Sequence, residues 1–243
     1  MSDRAALPVV SVLVDDYGTA ARYRRGTGVL VGRCDVMLTA RHVVSGADPS
    51  AIHIHSPQIR GSSTVAIADG EAANLRNAPP NRRAEDSFDD DAVVLRLKAC
   101  PTHHRVPLDA LAPISFSHID ALVGVGFPCD SGGRRAPERI DFRGNLVKAP
   151  VRGSLSRRLR LTPGARPGQS GAPVFSLSET GALSLHMLLV ATVRHETAPG
   201  GCGIDVQTGQ SDAGQAAFGV LLTADFIDAF GAYIAGLYEK EAH

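Results

Sequence analysis

The 243-residue sequence contains no tryptophan, only four cysteines and no long hydrophobic run. The apolar stretch from Val9 to Val14, interrupted by Ser11, is too short for the core of a signal peptide or for a membrane span. No two cysteines form a CxxC pair, and their spacings fit no zinc template. A secreted domain of this size would often contain more disulfides. We therefore expect a cytoplasmic protein that binds no metal and no cofactor.

The sequence also lacks an excess of charge of either sign. Lysine and arginine number 25, aspartate and glutamate number 25, and the formal net charge is zero. Nucleic acids and anionic membrane surfaces attract basic proteins, so neither is an expected partner. Two local arginine clusters are expected in solvated loops: Arg22, Arg24 and Arg25, and Arg157, Arg158 and Arg160.

Helical periodicity is missing from most of the chain. Short runs rich in Val, Leu and Ile alternate with turn residues, a pattern that predicts an all-β sandwich or barrels. From Thr223 onward, apolar residues recur at helical spacing, which predicts a helix at about 224–238 capped by Thr223. The predicted strands are 9–14, 28–32, 36–40, 51–55, 64–68, 92–97, 121–127 and 185–193.

Ser170, in the stretch RPGQSGAPVF, is the candidate nucleophile. A serine between two glycines belongs to a turn more often than to an active site, so it needs a base and an acid elsewhere in the chain. An α/β-hydrolase is disfavoured because the residue two positions after Ser170 is Ala172 where the G-x-S-x-G motif has glycine. The helices that would alternate with the strands of that fold are also missing.

His42, in the stretch VMLTARHVVSG, is the candidate base. It follows a predicted strand, and a side chain at a strand end is held firmly while it points into a cleft. A structural, partly buried histidine is the alternative. His53 and His55 share one face of a predicted strand, and a solvent-facing strand explains them better than a metal pair.

Asp91, in the stretch EDSFDDDAVVLRL, is the candidate acid. In a strand, Asp91 would lie on the same face as Val93, Leu95 and Leu97, so it points inward if they do. A buried carboxylate needs a hydrogen-bond donor, and a histidine N–H is suitable. Asp90 takes this place if the register shifts by one residue.

Three segments in this order resemble the signatures of the chymotrypsin-like (trypsin-fold) serine proteases. They are TARH at 39–42, DAVVLRL at 91–97 and GQSGAPVF at 168–175, and GTGVLVG at 26–32 resembles the first conserved strand of the family. The resemblance implies two six-stranded Greek-key β-barrels with a C-terminal α-helix. Residues 1–110 would form the first barrel, with His42 and Asp91, and residues 111–243 the second, with Ser170 and the helix.

The resemblance also implies a serine endopeptidase that works through an acyl-enzyme intermediate. His42 is the expected general base, Asp91 the residue that orients it, and Ser170 the nucleophile. The backbone N–H groups of Gly168 and Ser170 are expected to form the oxyanion hole.

Gln169 departs from the digestive enzymes, in which an aspartate before the nucleophile pairs with a newly cut N-terminus. Because Gln169 has no charge, activation by N-terminal cleavage is not expected, and the chain resembles the bacterial, HtrA-like branch. The family places the pocket floor at Gly164, where no acid is present, so a small neutral or aliphatic side chain is the expected preference. The expected pocket walls are Ala165, Arg166, Pro167, Thr192, Val193, Arg194 and His195.

The expected partner is a protein or peptide substrate. A compact protease of this kind is also expected to suit the role of a regulated effector, held by a sensor or regulatory protein. The alternative is a catalytically silent trypsin-fold domain that serves as a binding scaffold in a larger assembly. All three candidate catalytic residues are present, so the sequence offers no cue for that alternative.

Overall fold

Two antiparallel sheets of six strands each and a C-terminal helix make up the part of the chain that the structure describes. The predicted all-β fold of two six-stranded units with a terminal helix is therefore confirmed. This computed structural model describes residues 8–15, 23–56, 65–66, 91–114, 121–128, 137–148, 157–162, 165–166, 168–178, 181–190 and 217–242.

The first lobe is a curled sheet with the strand order β5-β4-β1-β2-β3-β6. Valines and leucines on both faces are fully buried, which explains why β3 is apolar at every position except Thr39 rather than alternating. A single helical turn, α1 (Arg41–Val44), follows β3. The strands are β1 (Val9–Asp15), β2 (Tyr23–Leu30), β3 (Val36–Ala40), β4 (Ile52–His55), β5 (Val65–Ala66) and β6 (Ala92–Arg96).

The second lobe is a closed barrel with the strand order β10-β11-β12-β9-β8-β7. Closure pairs every strand on both sides and leaves no exposed sheet edge. The strands are β7 (Leu122–Gly126), β8 (Glu138–Lys148), β9 (Arg157–Thr162), β10 (Pro173–Leu177), β11 (Leu183–Val190) and β12 (Ala217–Leu221).

Both arginine clusters are corrections to the sequence analysis, which placed them in solvated loops. Arg24 and Arg25 lie in β2 and pair with β1. The other cluster is Arg157, Arg158 and Arg160. These residues form the start of β9, which pairs with β8 and β12.

Helix α2 (Ala224–Glu241) is the C-terminal helix, and it ends three residues beyond its predicted end. The Thr223 hydroxyl accepts a hydrogen bond from the Phe226 N–H at 3.2 Å, as expected of an N-cap. Its buried face, which includes Phe226 and Phe230, joins a core cluster that draws residues from both lobes. The helix therefore stabilises the arrangement of the two lobes as well as its own lobe.

Strands β3 and β6 are paired, and a disulfide and a group of ion pairs lie at one end of this pairing. We call this disulfide and these ion pairs the clamp. A disulfide joins Cys34, in the turn before β3, to Cys100, after β6. The Arg33 guanidinium in the same turn donates to the carboxylates of Asp35 and Glu241, which ties the end of α2 to the first lobe. The opposite end of this pairing, at Ala40 and Ala92, leads directly to His42 and Asp91.

Because the clamp contains ionised carboxylates, we expect the stability of the fold to decrease in acid. Burial opposes ionisation of Asp35, but the hydrogen bonds and charge of Arg33 outweigh burial and hold the pKa of Asp35 below its ordinary value. A hydrogen bond from Arg33 likewise lowers the pKa of Glu241. A group whose pKa is lower in the folded state stabilises the fold above its unfolded pKa, and this contribution is lost as the pH falls through the folded pKa.

We therefore expect the unfolding free energy of the wild type to fall more steeply than that of Asp35→Asn as the pH is lowered from about 5 to 3. Urea unfolding at several pH values measures both slopes. Parallel slopes for the two proteins would show that Asp35 gains nothing from its arginine neighbours on folding.

Within the described ranges, no helix combines the length and the apolar character that a membrane crossing requires.

Candidate active site

His42 lies on the one-turn helix α1, immediately after β3. The two residues that follow it, Val43 and Val44, are buried in the first-lobe core and hold the turn in place. The His42 side chain, in contrast, is 20% exposed. The packing of the two valines therefore fixes a histidine at the edge of the lobe.

Asp91 immediately precedes β6 and contacts α1 through three hydrogen bonds. Its backbone carbonyl accepts from the Arg41 N–H at 2.7 Å. Its Oδ1 accepts from the His42 N–H at 2.8 Å, and its Oδ2 contacts His42 Nδ1 at 2.5 Å. Because a carboxylate only accepts, Nδ1 carries the proton, and Nε2 is then the basic nitrogen of the neutral ring.

Ser170 lies in the second lobe, in the segment between β9 and β10, and is 2% exposed. Its backbone carbonyl accepts a hydrogen bond from the N–H of Thr27 on β2 at 2.7 Å. The next residue, Gly171, has φ +83°, and a Cβ there would lie 2.7 Å from the N of Ala40. Since Ala40 is two residues before His42, the structure brings the Ser170 segment directly against the segment that carries the imidazole.

The comparisons with known proteins agree with this geometry. The family described as the trypsin-like peptidase domain matches residues 26–183, well over half of the chain, and this range contains His42, Asp91 and Ser170. The chain belongs to the trypsin-like peptidase family. By family and by fold, it is a serine protease. No curated protein matches the sequence.

Solved structures share the fold of this peptidase at low sequence identity. A thermostable serine protease from an extremophilic microorganism has a TM-score of 0.57 at 14% identity, over 90% of this chain and 93% of that one. The HtrA-type protease AlgW, solved with a tripeptide, has a TM-score of 0.54 at 17% identity, over 95% of this chain and 61% of that one. An inactivated protease paralogue of the scabies mite has a TM-score of 0.56 at 12% identity, over 94% and 92% of the two chains.

Two of the residues expected to form the substrate pocket of the peptidase belong to the described part of the structure. Ala165 packs against the core of the second lobe. The Arg166 side chain is 51% exposed and forms an ion pair with Glu138 at the start of β8. The other expected pocket residues lie outside the described residues: Gly164, Pro167, Thr192, Val193, Arg194 and His195.

The peptidase contains a serine–histidine contact outside the candidate triad, which the sequence analysis missed. The Ser176 hydroxyl lies 2.7 Å from Nε2 of His186, and His186 Nδ1 lies 2.8 Å from the carbonyl of Ala112. A carbonyl only accepts, so Nδ1 donates to it and Nε2 accepts from Ser176. His186 is only 2% exposed, and its Nδ1 partner is a backbone carbonyl rather than a carboxylate. This pair therefore stabilises β10 and β11 and serves below as a control.

Two buried threonines that the sequence analysis did not single out lie beside the Ser170 segment of the peptidase. Thr27 and Thr39 are both completely buried, and the Thr39 hydroxyl donates to the Thr27 carbonyl at 2.7 Å. Thr27 is the middle residue of the GTG triplet in GTGVLVG. A threonine within an otherwise apolar strand could have indicated this role, because a buried hydroxyl requires hydrogen-bond partners.

Proposed function

We propose that the chain is a serine endopeptidase in which Ser170 is the nucleophile, His42 the general base and Asp91 the residue that orients the base. The observation that supports this most strongly is the two-point contact of Asp91 with His42, at 2.8 Å and 2.5 Å. This contact holds both the backbone and the ring of the histidine. It fixes one tautomer, with the proton on Nδ1, as the base of a serine protease requires.

The first chemical step follows from that tautomer. Ser170 Oγ attacks the carbonyl carbon of the scissile peptide bond while its proton passes to His42 Nε2. Asp91 stabilises the imidazolium that forms, because its Oδ2 remains against Nδ1. The imidazolium then protonates the leaving amine, which departs and leaves an acyl group on Ser170. Water, activated by the same histidine, releases the acid product and restores the serine.

The N–H groups of Gly168 and Ser170 are the proposed hydrogen-bond donors to the oxyanion of the tetrahedral intermediate. Gly168 has φ +87°, in the left-handed region that glycine adopts without steric cost. The Gln169 carbonyl accepts from the Ala172 N–H at 3.0 Å. In a trans peptide the N–H is opposite the carbonyl, so the Ser170 N–H of that same peptide points away from Ala172.

The substrate is a protein or peptide, as the tripeptide held by the HtrA-type relative suggests. The preferred side chain at the cut site is small and neutral or aliphatic. The ion pair of Arg166 with Glu138 supports this preference over an acidic one, because the guanidinium already has a carboxylate partner.

A fluorophosphonate probe tests the nucleophile. Ser170 Oγ forms a bond to phosphorus and fluoride leaves, so a stable adduct marks an activated serine. We expect wild type and Ser176→Ala to be labelled and Ser170→Ala to remain unlabelled. Ser176→Ala is the matched control because the Ser176 hydroxyl contacts a histidine, His186, whose Nδ1 contacts a backbone carbonyl rather than a carboxylate.

Two results would contradict the proposal. Labelling of Ser170→Ala at the wild-type rate would place the nucleophile elsewhere. A folded wild type that neither reacts nor cleaves peptides would favour the scaffold alternative, and the inactivated paralogue of the scabies mite has a similar fold. Circular dichroism of each variant confirms that the proteins compared are folded.

A further inference from the structure

Thr27 connects the first lobe to the segment that carries Ser170. It lies on β2, is completely buried, and uses each of its polar groups. Its N–H donates to the Ser170 carbonyl at 2.7 Å, and its hydroxyl donates to the Gly168 carbonyl at 2.9 Å. One side chain and one N–H of the first lobe therefore hold two carbonyls of the second lobe.

The direction of the Thr27 hydroxyl is determined by its neighbours. The Phe127 N–H donates to Thr27 Oγ1 at 3.0 Å, so this side of the oxygen acts as an acceptor. The hydroxyl proton is then directed to Gly168, the other recorded partner of this oxygen. The Thr39 hydroxyl fixes the Thr27 carbonyl at 2.7 Å. Because Thr27 is held by Phe127 and Thr39 on two other segments, it offers the serine segment a rigid point of attachment.

These contacts fix three consecutive peptide planes around the nucleophile. The plane between Gly168 and Gln169 is held at its carbonyl by the Thr27 hydroxyl. The plane between Ser170 and Gly171 is held at its carbonyl by the Thr27 N–H and at its own N–H by the Leu189 carbonyl, 2.7 Å away. The plane between them is held by Ala172, as described above. With each plane fixed, the direction of the Ser170 N–H is fixed too.

We infer that Thr27 is a positioning residue that orients the oxyanion hole from the opposite lobe. It touches no reacting atom and acts through the Gly168 and Ser170 carbonyls. Oxyanion stabilisation depends on donors that are already aligned before the charge develops, so a small rotation of these planes should slow the chemical step. Substrate binding in the ground state depends on other contacts and should change little. This inference rests on the proposed function.

Thr27→Val and Thr27→Ser form a matched pair for the test. Valine has nearly the same shape but removes the hydroxyl, whereas serine keeps it and loses one methyl group. We expect Thr27→Val to lower kcat for a peptide substrate by about 10- to 100-fold, with KM changed less than about threefold, since small misplacements at an active site cost about this much. Thr27→Ser should recover kcat to within about threefold of the wild type.

Two controls separate positioning from a general loss of stability. Ser176→Ala removes another buried hydroxyl that lies outside the site, and it should retain wild-type kcat at a temperature where all variants are folded. The pH dependence of kcat/KM should have the same shape in Thr27→Val and wild type, because the contact between His42 and Asp91 is untouched. The fluorophosphonate labelling rate should fall in parallel with kcat.

Three outcomes are distinguishable. Wild-type kcat in Thr27→Val would overturn the inference and leave the proposed function intact. An equal loss of kcat in Thr27→Val and Ser176→Ala would also overturn it, because loosening of the fold would then explain both. A wild type without turnover or labelling would overturn the proposed function, and this inference with it.

Discussion

Asp91→Asn is expected to lower kcat by about 10⁴-fold at neutral pH while the protein remains folded. The structural reason is the two-point contact with His42. If the asparagine oxygen keeps the hydrogen bond from the His42 N–H, its NH₂ group faces Nδ1. Nδ1 must then accept, which moves the ring proton to Nε2. A ring with its proton on Nε2 cannot accept the proton of Ser170.

Asp15→Asn is the matched control for this substitution. Asp15 also contacts a histidine on the first lobe, with Oδ2 3.0 Å from His53 Nε2, but on strands β1 and β4. We expect wild-type kcat in Asp15→Asn. Steady-state kinetics with one peptide substrate measure both variants. A loss of less than about tenfold in Asp91→Asn would mean that Asp91 does not set the tautomer of the base.

Gly171→Ala is expected to destabilise the fold by about 4 kcal/mol, because backbone strain and overpacking add. Gly171 has φ +83°, where an alanine is strained in any surroundings. Its Cβ would also lie 2.2 Å from the Thr27 carbonyl oxygen and 2.4 Å from Thr39 Oγ1. Both contacts are with groups fixed by the first lobe, so relief requires the lobes to separate. Activity should therefore fall together with stability.

Gly181→Ala provides the control with nearly the same backbone. Gly181 has φ +84°, but no atom lies within 4 Å of the position that a Cβ would occupy. Only the conformational strain remains, so about 1 kcal/mol of destabilisation is expected, with unchanged kcat. Urea unfolding gives both free energies. Equal losses in the two variants would show that the contact of Gly171 with the first lobe contributes nothing.

Strand prediction gave β3 at its observed bounds of Val36–Ala40 but missed the apolar strands β10 and β12. It failed for β8, whose sequence ERIDFRGNLVK contains too many charges to form an apolar run. There Phe142 is buried while Arg139, Asp141 and Arg143 are exposed. The pattern that could have predicted β8 was the alternation of polar and apolar residues, because one face of this strand is exposed to solvent.

The candidate site was predicted in part because its chemistry constrains the residue types. The strand face predicted for Asp91 indicated an inward carboxylate, and Asp91 is indeed 8% exposed. The contribution of Thr27 was not predicted, because its partners Gly168 and Phe127 lie 141 and 100 residues away in the sequence. A cross-lobe contact of that kind depends on the tertiary fold and leaves no local pattern.

The disulfide between Cys34 and Cys100 was not expected either. Two cysteines 66 residues apart give no spacing signal, and only the pairing of β3 with β6 brings them together. The expectation of a cytoplasmic location relied partly on a lack of disulfides, so that premise no longer supports it. The location, the regulatory partner and the domain boundary after residue 110 stay predictions.

A crystal structure of the fluorophosphonate adduct tests the catalytic arrangement most directly. We expect phosphorus bonded to Ser170 Oγ, with His42 Nε2 within about 3 Å of that oxygen. The phosphoryl oxygen should accept hydrogen bonds from the N–H groups of Gly168 and Ser170 at about 2.7–3.1 Å. An adduct on any other residue, or a phosphoryl oxygen directed away from both N–H groups, would contradict the proposed mechanism.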